Sequence, residues 1–172
     1  MLALNYMHAK NRVHRDVKLE NLMVEVTQEK GRHYLHVKLT DFGFATVIEP
    51  GTTLTLSLGS PLYMAPEIAA KKPYDSKVDV WAIGVLTFML LTGSRPFPGK
   101  GKHDIFQKVL HSEPDFSLLK KYHKNGKETM DFIARCLTRK IDQRPTIDEL
   151  FKTVWMKRYK TANQGTDQTE PI

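Results

Sequence analysis

The sequence predicts a mainly α-helical domain with one small β-hairpin, its helices gathered around a single buried one. Three observations lead there. Residues 80–91 are apolar on every side, with Trp81, Ile83, Val85, Leu86, Phe88, Met89 and Leu90 among them, and a helix without a polar face is one that others surround. Two runs rich in β-branched and aliphatic residues, 22–26 and 34–39, flank a polar stretch containing Gly31, which is the pattern of a hairpin. Further along, residues 105–110, 128–137 and 146–155 carry apolar side chains at the three-to-four-residue spacing of amphipathic helices.

Taken in order, residues 2–10 place Leu4, Tyr6, Met7 and Ala9 in what reads as the last turns of a helix, too short to stand without docking on its neighbours. The hairpin follows, with residues 27–33 as its polar turn. Residues 44–63 are rich in Gly, Pro, Thr and Ser and keep no period, so they form a loop. A loop of that length inside a compact domain is a functional one, and Thr52, Thr53, Thr55 and Ser57 are its hydroxyls. Ser76, with Asp79 three residues on, offers an N-cap and an acid for the start of the central helix. That helix stops at Thr92-Gly93, and 95–99 make a proline turn. Pro145 suits the start of the last helix. The domain runs over 1–158, no internal repeat interrupts it, and 159–172 read as a disordered polar tail.

Composition excludes several classes. At 172 residues, 41% hydrophobic and 26% charged, the chain matches one soluble globular domain. Its 26 Lys+Arg exceed 19 Asp+Glu, giving +7, but the basic residues are short pairs on different segments, such as Lys71-Lys72 and Arg139-Lys140, without interleaved aromatics. That distribution favours a solvated surface over nucleic acid. The apolar run 80–91 is too short to span a bilayer, and nothing at the start has the form of a signal peptide. The single Cys136 shares a helical face with Phe132, Ile133 and Leu137, as a core thiol would. An intracellular, cytoplasmic setting without membrane attachment follows as the expectation.

The chemistry is concentrated in residues 14–21, His-Arg-Asp-Val-Lys-Leu-Glu-Asn, followed after the hairpin by Asp41-Phe42-Gly43 and later by Ala65-Pro66-Glu67. A carboxylate, an ammonium and a carboxamide within eight residues are the groups that orient a hydroxyl, neutralise a migrating phosphoryl group and hold a hard cation. In order and spacing these phrases resemble the eukaryotic protein kinases. Leu4, Tyr6 and His8 are similar to the phrase that precedes the catalytic loop in that family.

The resemblance implies roles residue by residue. Asp16 is the catalytic carboxylate that orients the acceptor hydroxyl and takes its proton late, since an unperturbed Asp, with a pKa of about 3.9, is a weak base. Lys18 sets a positive charge beside the phosphoryl group, and a lysine there is similar to the serine/threonine rather than the tyrosine kinases. Asn21 and Asp41 supply oxygen ligands for Mg²⁺ and with it bind ATP. Arg15 suggests control by phosphorylation of Thr55 or Ser57 by an upstream kinase. Glu20 matches a position that meets a basic substrate residue, and Ser60 one that bonds Asp16 and Lys18 where substrate docks. Glu67 and Arg144 match a buried ion pair, and Asp79 an acid that grips the catalytic-loop backbone.

The likeness covers the larger, helical lobe. The glycine-rich loop, strand lysine and helix glutamate of the smaller, nucleotide-covering lobe have no counterpart in this sequence. The leading reading is therefore part of a serine/threonine kinase that phosphorylates protein Ser/Thr hydroxyls when that lobe is present. The alternatives are a stand-alone lobe binding partners beside residues 96–110, without catalysis, and a basic nucleic-acid binder whose affinity falls steeply with salt.

Overall fold

The structure, a computed structural model, describes residues 1–29, 32–122 and 126–158. A short helix α1 (Leu2–Ala9) leads into strand β1 (Arg12–Val13), and a turn of 3₁₀ helix at Leu19–Asn21 opens the hairpin β2 (Leu22–Glu29) and β3 (Arg32–Leu39). Strand β4 (Thr46–Val47) returns antiparallel to β1. The helices follow: α2 (Pro66–Ala69), α3 (Lys77–Thr92), α4 (Lys102–His111), α5 (Ser117–Tyr122), α6 (Gly126–Cys136) and α7 (Ile147–Phe151). The helix-rich architecture and the hairpin are as the sequence predicts; the second two-stranded sheet, β1 with β4, is not, and β4 lies within the stretch 44–63 read as loop. The tail from 159 lies outside the described residues.

Helix α3 is the hub. Val80, Trp81, Val85 and Phe88 are completely buried in it, and α5 and α6 pack along its length. Trp81 stacks on Phe97 with ring centroids 5.6 Å apart, so the proline turn after α3 folds back onto it. Gly93, with φ at 67°, ends the helix in the left-handed region and donates its N–H to the Met89 carbonyl at 2.9 Å.

Gly84 has a packing reason to be in mid-helix. A Cβ there would lie 2.6 Å from Cys136 Cβ and 2.9 Å from Leu137 Cδ2, so α3 and α6 approach too closely for any side chain. Gly84→Ala is expected to lower stability by about 1–3 kcal/mol, overpacking outweighing the roughly 1 kcal/mol that alanine offers a helix. A urea denaturation midpoint checks it. Cys136, across this contact, is fully buried, and burial pushes its thiol far above the ordinary range.

Three local expectations need correction. Ser76 does not cap α3 through its side chain; Asp75 Oδ1 accepts the Lys77 N–H at 2.8 Å instead. The capping box with Asp79 is absent because that carboxylate is turned towards residues 14 and 15, as described below. The polar turn of the hairpin is shorter than 27–33, for Thr27 pairs with Tyr34 and Gln28 with His33 within the strands. The last helix also breaks early: α7 ends at Phe151, Thr153 Oγ1 donates to the Leu150 carbonyl at 2.7 Å, and a separate helical stretch covers 154–158. Thr146 opens α7 through a capping box with Glu149, so Pro145 precedes the cap and lies outside the helix.

The hairpin register sets Val24 against Val37 and Val26 against Leu35, all four more than half exposed. At its other end Leu22 pairs with Leu39, so that Thr40 meets Asn21 and Asp41 follows one residue further on. No helix among the described residues is long and apolar enough to cross a membrane.

Candidate active site

The site is built where three chain segments meet above the start of α3. Asp79, in the first turn of that helix and 1% exposed, accepts the backbone N–H of His14 on Oδ2 and of Arg15 on Oδ1, both at 2.9 Å. His8 Nε2, from the last turn of α1, lies 2.8 Å from the same Oδ2. These bonds hold Arg15 at φ 69°, a left-handed conformation costly for a non-glycine residue. The turn at Arg15 delivers Asp16 into the site.

Asp16 is 4% exposed, yet its carboxylate collects four donors. Lys18 Nζ reaches Oδ2 at 2.6 Å and Asn21 Nδ2 the same oxygen at 3.2 Å. Ser60 supplies its N–H at 3.0 Å and its hydroxyl at 2.9 Å to Oδ1. Lys18 Nζ also donates to Ser60 Oγ at 3.1 Å, closing a ring of three side chains. Burial on its own raises the Asp16 pKa, but the Lys18 ammonium and the Ser60 donors outweigh it and hold the carboxyl below its ordinary value. The hydrogen bond to Asp16 correspondingly raises Lys18. A carboxylate so placed orients a hydroxyl well and attracts its proton weakly.

His14 ties this loop to the hairpin's far end. Completely buried, it accepts the Asp16 N–H on Nδ1 at 3.3 Å and meets the Thr40 carbonyl with Nε2 at 3.2 Å, which assigns the proton to Nε2. Its ring packs edge-on to Phe42, 5.3 Å between centroids. The Thr40 N–H and hydroxyl both bond the Asn21 carbonyl, at 2.9 and 3.1 Å. These bonds tie Thr40 to Asn21, and Asp41, at φ 59°, follows directly.

The donor chemistry there suits a hard cation. Asn21 directs its Nδ2 at the Asp16 carbonyl, 2.9 Å, which leaves Oδ1 as its acceptor end, and the exposed Asp41 carboxylate contributes further oxygens. Oxygen donors from one amide and one carboxylate fit Mg²⁺, which keeps waters and substrate phosphates in its shell. Among the described residues no group of three or more His, Cys, Asp or Glu gathers to hold a metal.

The remaining expected residues lie around this centre. Gly59, at φ 102°, passes so close that a Cβ would sit 2.5 Å from the Arg15 carbonyl oxygen. Glu20 is exposed on the 3₁₀ turn, beside Tyr63, whose hydroxyl receives the Leu19 N–H at 3.4 Å. Arg15 donates Nε–H to the Phe44 carbonyl at 2.6 Å; among the described residues no hydrogen bond joins it to Thr55 or Ser57, whose side chains are exposed. Below the site, Arg144 and Glu67 form a two-bonded pair, NH1 to Oε1 at 2.7 Å and NH2 to Oε2 at 2.9 Å, nearly sealed from solvent.

Residues 1–156 match the protein kinase domain. The chain belongs to the protein kinase family. It is 39% identical over 156 residues to a probable myosin light chain kinase of Dictyostelium discoideum, covering 90% of this chain and 38% of that protein. A serine/threonine-protein kinase of Arabidopsis thaliana is 38% identical over 92% of this chain and 32% of its own length. A death-associated protein kinase of Caenorhabditis elegans is 35% identical, with 91% and 11% covered. The kinase chain thus spans well under half the length of these three relatives.

Sequence reasoning passed over the contribution of three residues of this kinase. His8 was visible only as part of a phrase, and its bond to Asp79 spans 71 positions. Gly59 reads as one more loop glycine until its approach to Arg15 is seen. Tyr74, 1% exposed, carries a hydroxyl bond to the loop that no periodicity signals.

Proposed function

We propose that this chain is the acceptor-side lobe of a serine/threonine protein kinase, transferring the γ-phosphoryl group of ATP to Ser/Thr hydroxyls of proteins, inside the cell, when a nucleotide-covering lobe is joined to it. The observation that carries the reading is the closed ring of Asp16, Lys18 and Ser60 beside Asn21 and Asp41. Such a group has little use in a scaffold. In it Asp16 receives the acceptor O–H and aligns its oxygen, removing the proton as the bond to phosphorus forms. Lys18 contributes fixed positive charge where charge develops on the transferring group. Asn21 and Asp41 would hold Mg²⁺, which would supply positive charge against that of the nucleotide phosphates. Glu20, exposed on the 3₁₀ turn, would meet a basic residue of the substrate. The names of the relatives support the serine/threonine assignment, as does lysine at position 18.

In a form of the protein carrying a nucleotide-covering lobe, Asp41→Ala is expected to abolish Mg²⁺- and ATP-dependent phosphorylation of a Ser/Thr peptide while leaving the fold intact, since Asp41 is exposed and, among the described residues, its side chain bonds the nearby Gly43 N–H alone. Unchanged turnover would contradict the metal role.

A further inference from the structure

The loop after Asp41-Phe42-Gly43 is tied to the core at its middle, and the tie is made by the chain itself. Leu54 and Tyr74 form an isolated antiparallel bridge, each N–H meeting the other's carbonyl at 2.9 Å. The Tyr74 hydroxyl then donates to the Leu56 carbonyl at 2.7 Å. Tyr74 is 1% exposed and immediately precedes Asp75, which accepts the Lys77 N–H at the start of α3, so its ring is anchored beside the buried central helix. At the far end, Gly59 rests against Arg15 and Ser60 is bonded to Asp16. Only residues 55–58 span the interval. At the near end, β4 pairs with β1, the Ile48 N–H meets the Asn11 carbonyl at 2.8 Å, and Arg15 Nε is bonded to Phe44. The loop therefore has a fixed path at start, middle and end while Thr52, Thr53, Thr55 and Ser57 stay exposed.

We propose that Tyr74 is the positioning residue that holds the acceptor-side surface, residues 54–59, in its docking shape without a phosphate on any of those four hydroxyls. A phosphate added there adjusts an existing order and does not create it. What the surface docks depends on the kinase reading; the tie does not.

The test starts with the 172-residue chain, verified as unphosphorylated by mass, in a hydrogen-exchange experiment. The amides of Leu54 and Tyr74 are expected to exchange well below the free-peptide rate. Tyr74→Phe, which keeps the ring and removes one hydrogen bond, should speed exchange over 54–58 by about fivefold and leave α3 unchanged. Free-peptide exchange at Leu54 in the unmodified chain, no change in the variant, or an equal rise throughout α3 overturns the proposal. In a longer form that phosphorylates a peptide, the same variant should raise the peptide KM by about fivefold and leave the ATP KM unaltered; a loss confined to kcat overturns the positioning role. Failure of every longer form to transfer phosphate would count against the kinase reading alone, since the exchange result does not depend on activity.

Discussion

Arg144→Ala is expected to lower the stability of this domain by about 3–5 kcal/mol, the usual cost of stripping one partner from a buried ion pair. Arg144 is 1% exposed and Glu67 7%, so the surviving carboxylate has little access to water. The guanidinium does more than neutralise that charge. It donates to the carbonyls of Thr138 at 2.8 Å and Lys77 at 3.0 Å and lies over the Trp81 ring, joining the 65–67 segment, the start of α3 and the connection before α7 at one point. Replacing both partners, as Glu67→Leu with Arg144→Met, should recover only part of the loss, because the carbonyls stay without their donors. Urea denaturation of the two variants and the parent measures this. A loss under 1 kcal/mol for Arg144→Ala would mean that the pair is solvated in solution.

Asp16→Asn, in an active form of the kinase, should reduce kcat by about a hundred- to ten-thousandfold, the range that a positioned proton acceptor contributes. The KM for ATP should change little, because Asp16 faces Ser60 and the acceptor side. The pH dependence separates this role from a simple base. Since the folded carboxyl lies below its ordinary value, Asp16 is ionised throughout the neutral range, and kcat/KM should show no acid limb from it above about pH 5. The sign for stability follows the same direction. The ring of Asp16, Lys18 and Ser60 stabilises the fold fully above the unfolded pKa of about 3.9, and that contribution is lost as pH falls through the lower folded value. Asp16→Asn should flatten this part of the acid unfolding curve.

Much of this was legible because the chemistry is local in sequence. Asp16, Lys18 and Asn21 stand within six residues, and the two β-patterned runs read as a hairpin with Asn21 just before its first strand and Asp41 just after its second. The all-apolar stretch of α3 likewise announces its burial, which holds through Phe88; Leu90, near the helix end, is 61% exposed, so the last turn is not surrounded. What stayed hidden depends on which of several equivalent groups wins a partner. Ser76 and Asp75 are both good caps, and Asp75 takes the amide. Asp79 could serve its own helix, but the strained turn at Arg15 draws both its oxygens across 64 and 65 positions. Gly59, Gly84 and Gly99 read like any other glycine in the sequence, and only what a Cβ would strike sets them apart. Tyr74 carries no motif or periodic signal in the sequence, and only the bond from its hydroxyl to the Leu56 carbonyl reveals the tie.

The most direct test of the central claim is a mass-spectrometric map of phosphate on a peptide containing serine, threonine and tyrosine, incubated with Mg²⁺ and ATP and a form of this protein that carries a nucleotide-covering lobe. Phosphate on serine or threonine, lost on Asp16→Asn, is the predicted result. Transfer to tyrosine, or transfer that persists in the variant, would contradict the assignment of Asp16, Lys18 and Ser60 to a serine/threonine acceptor site.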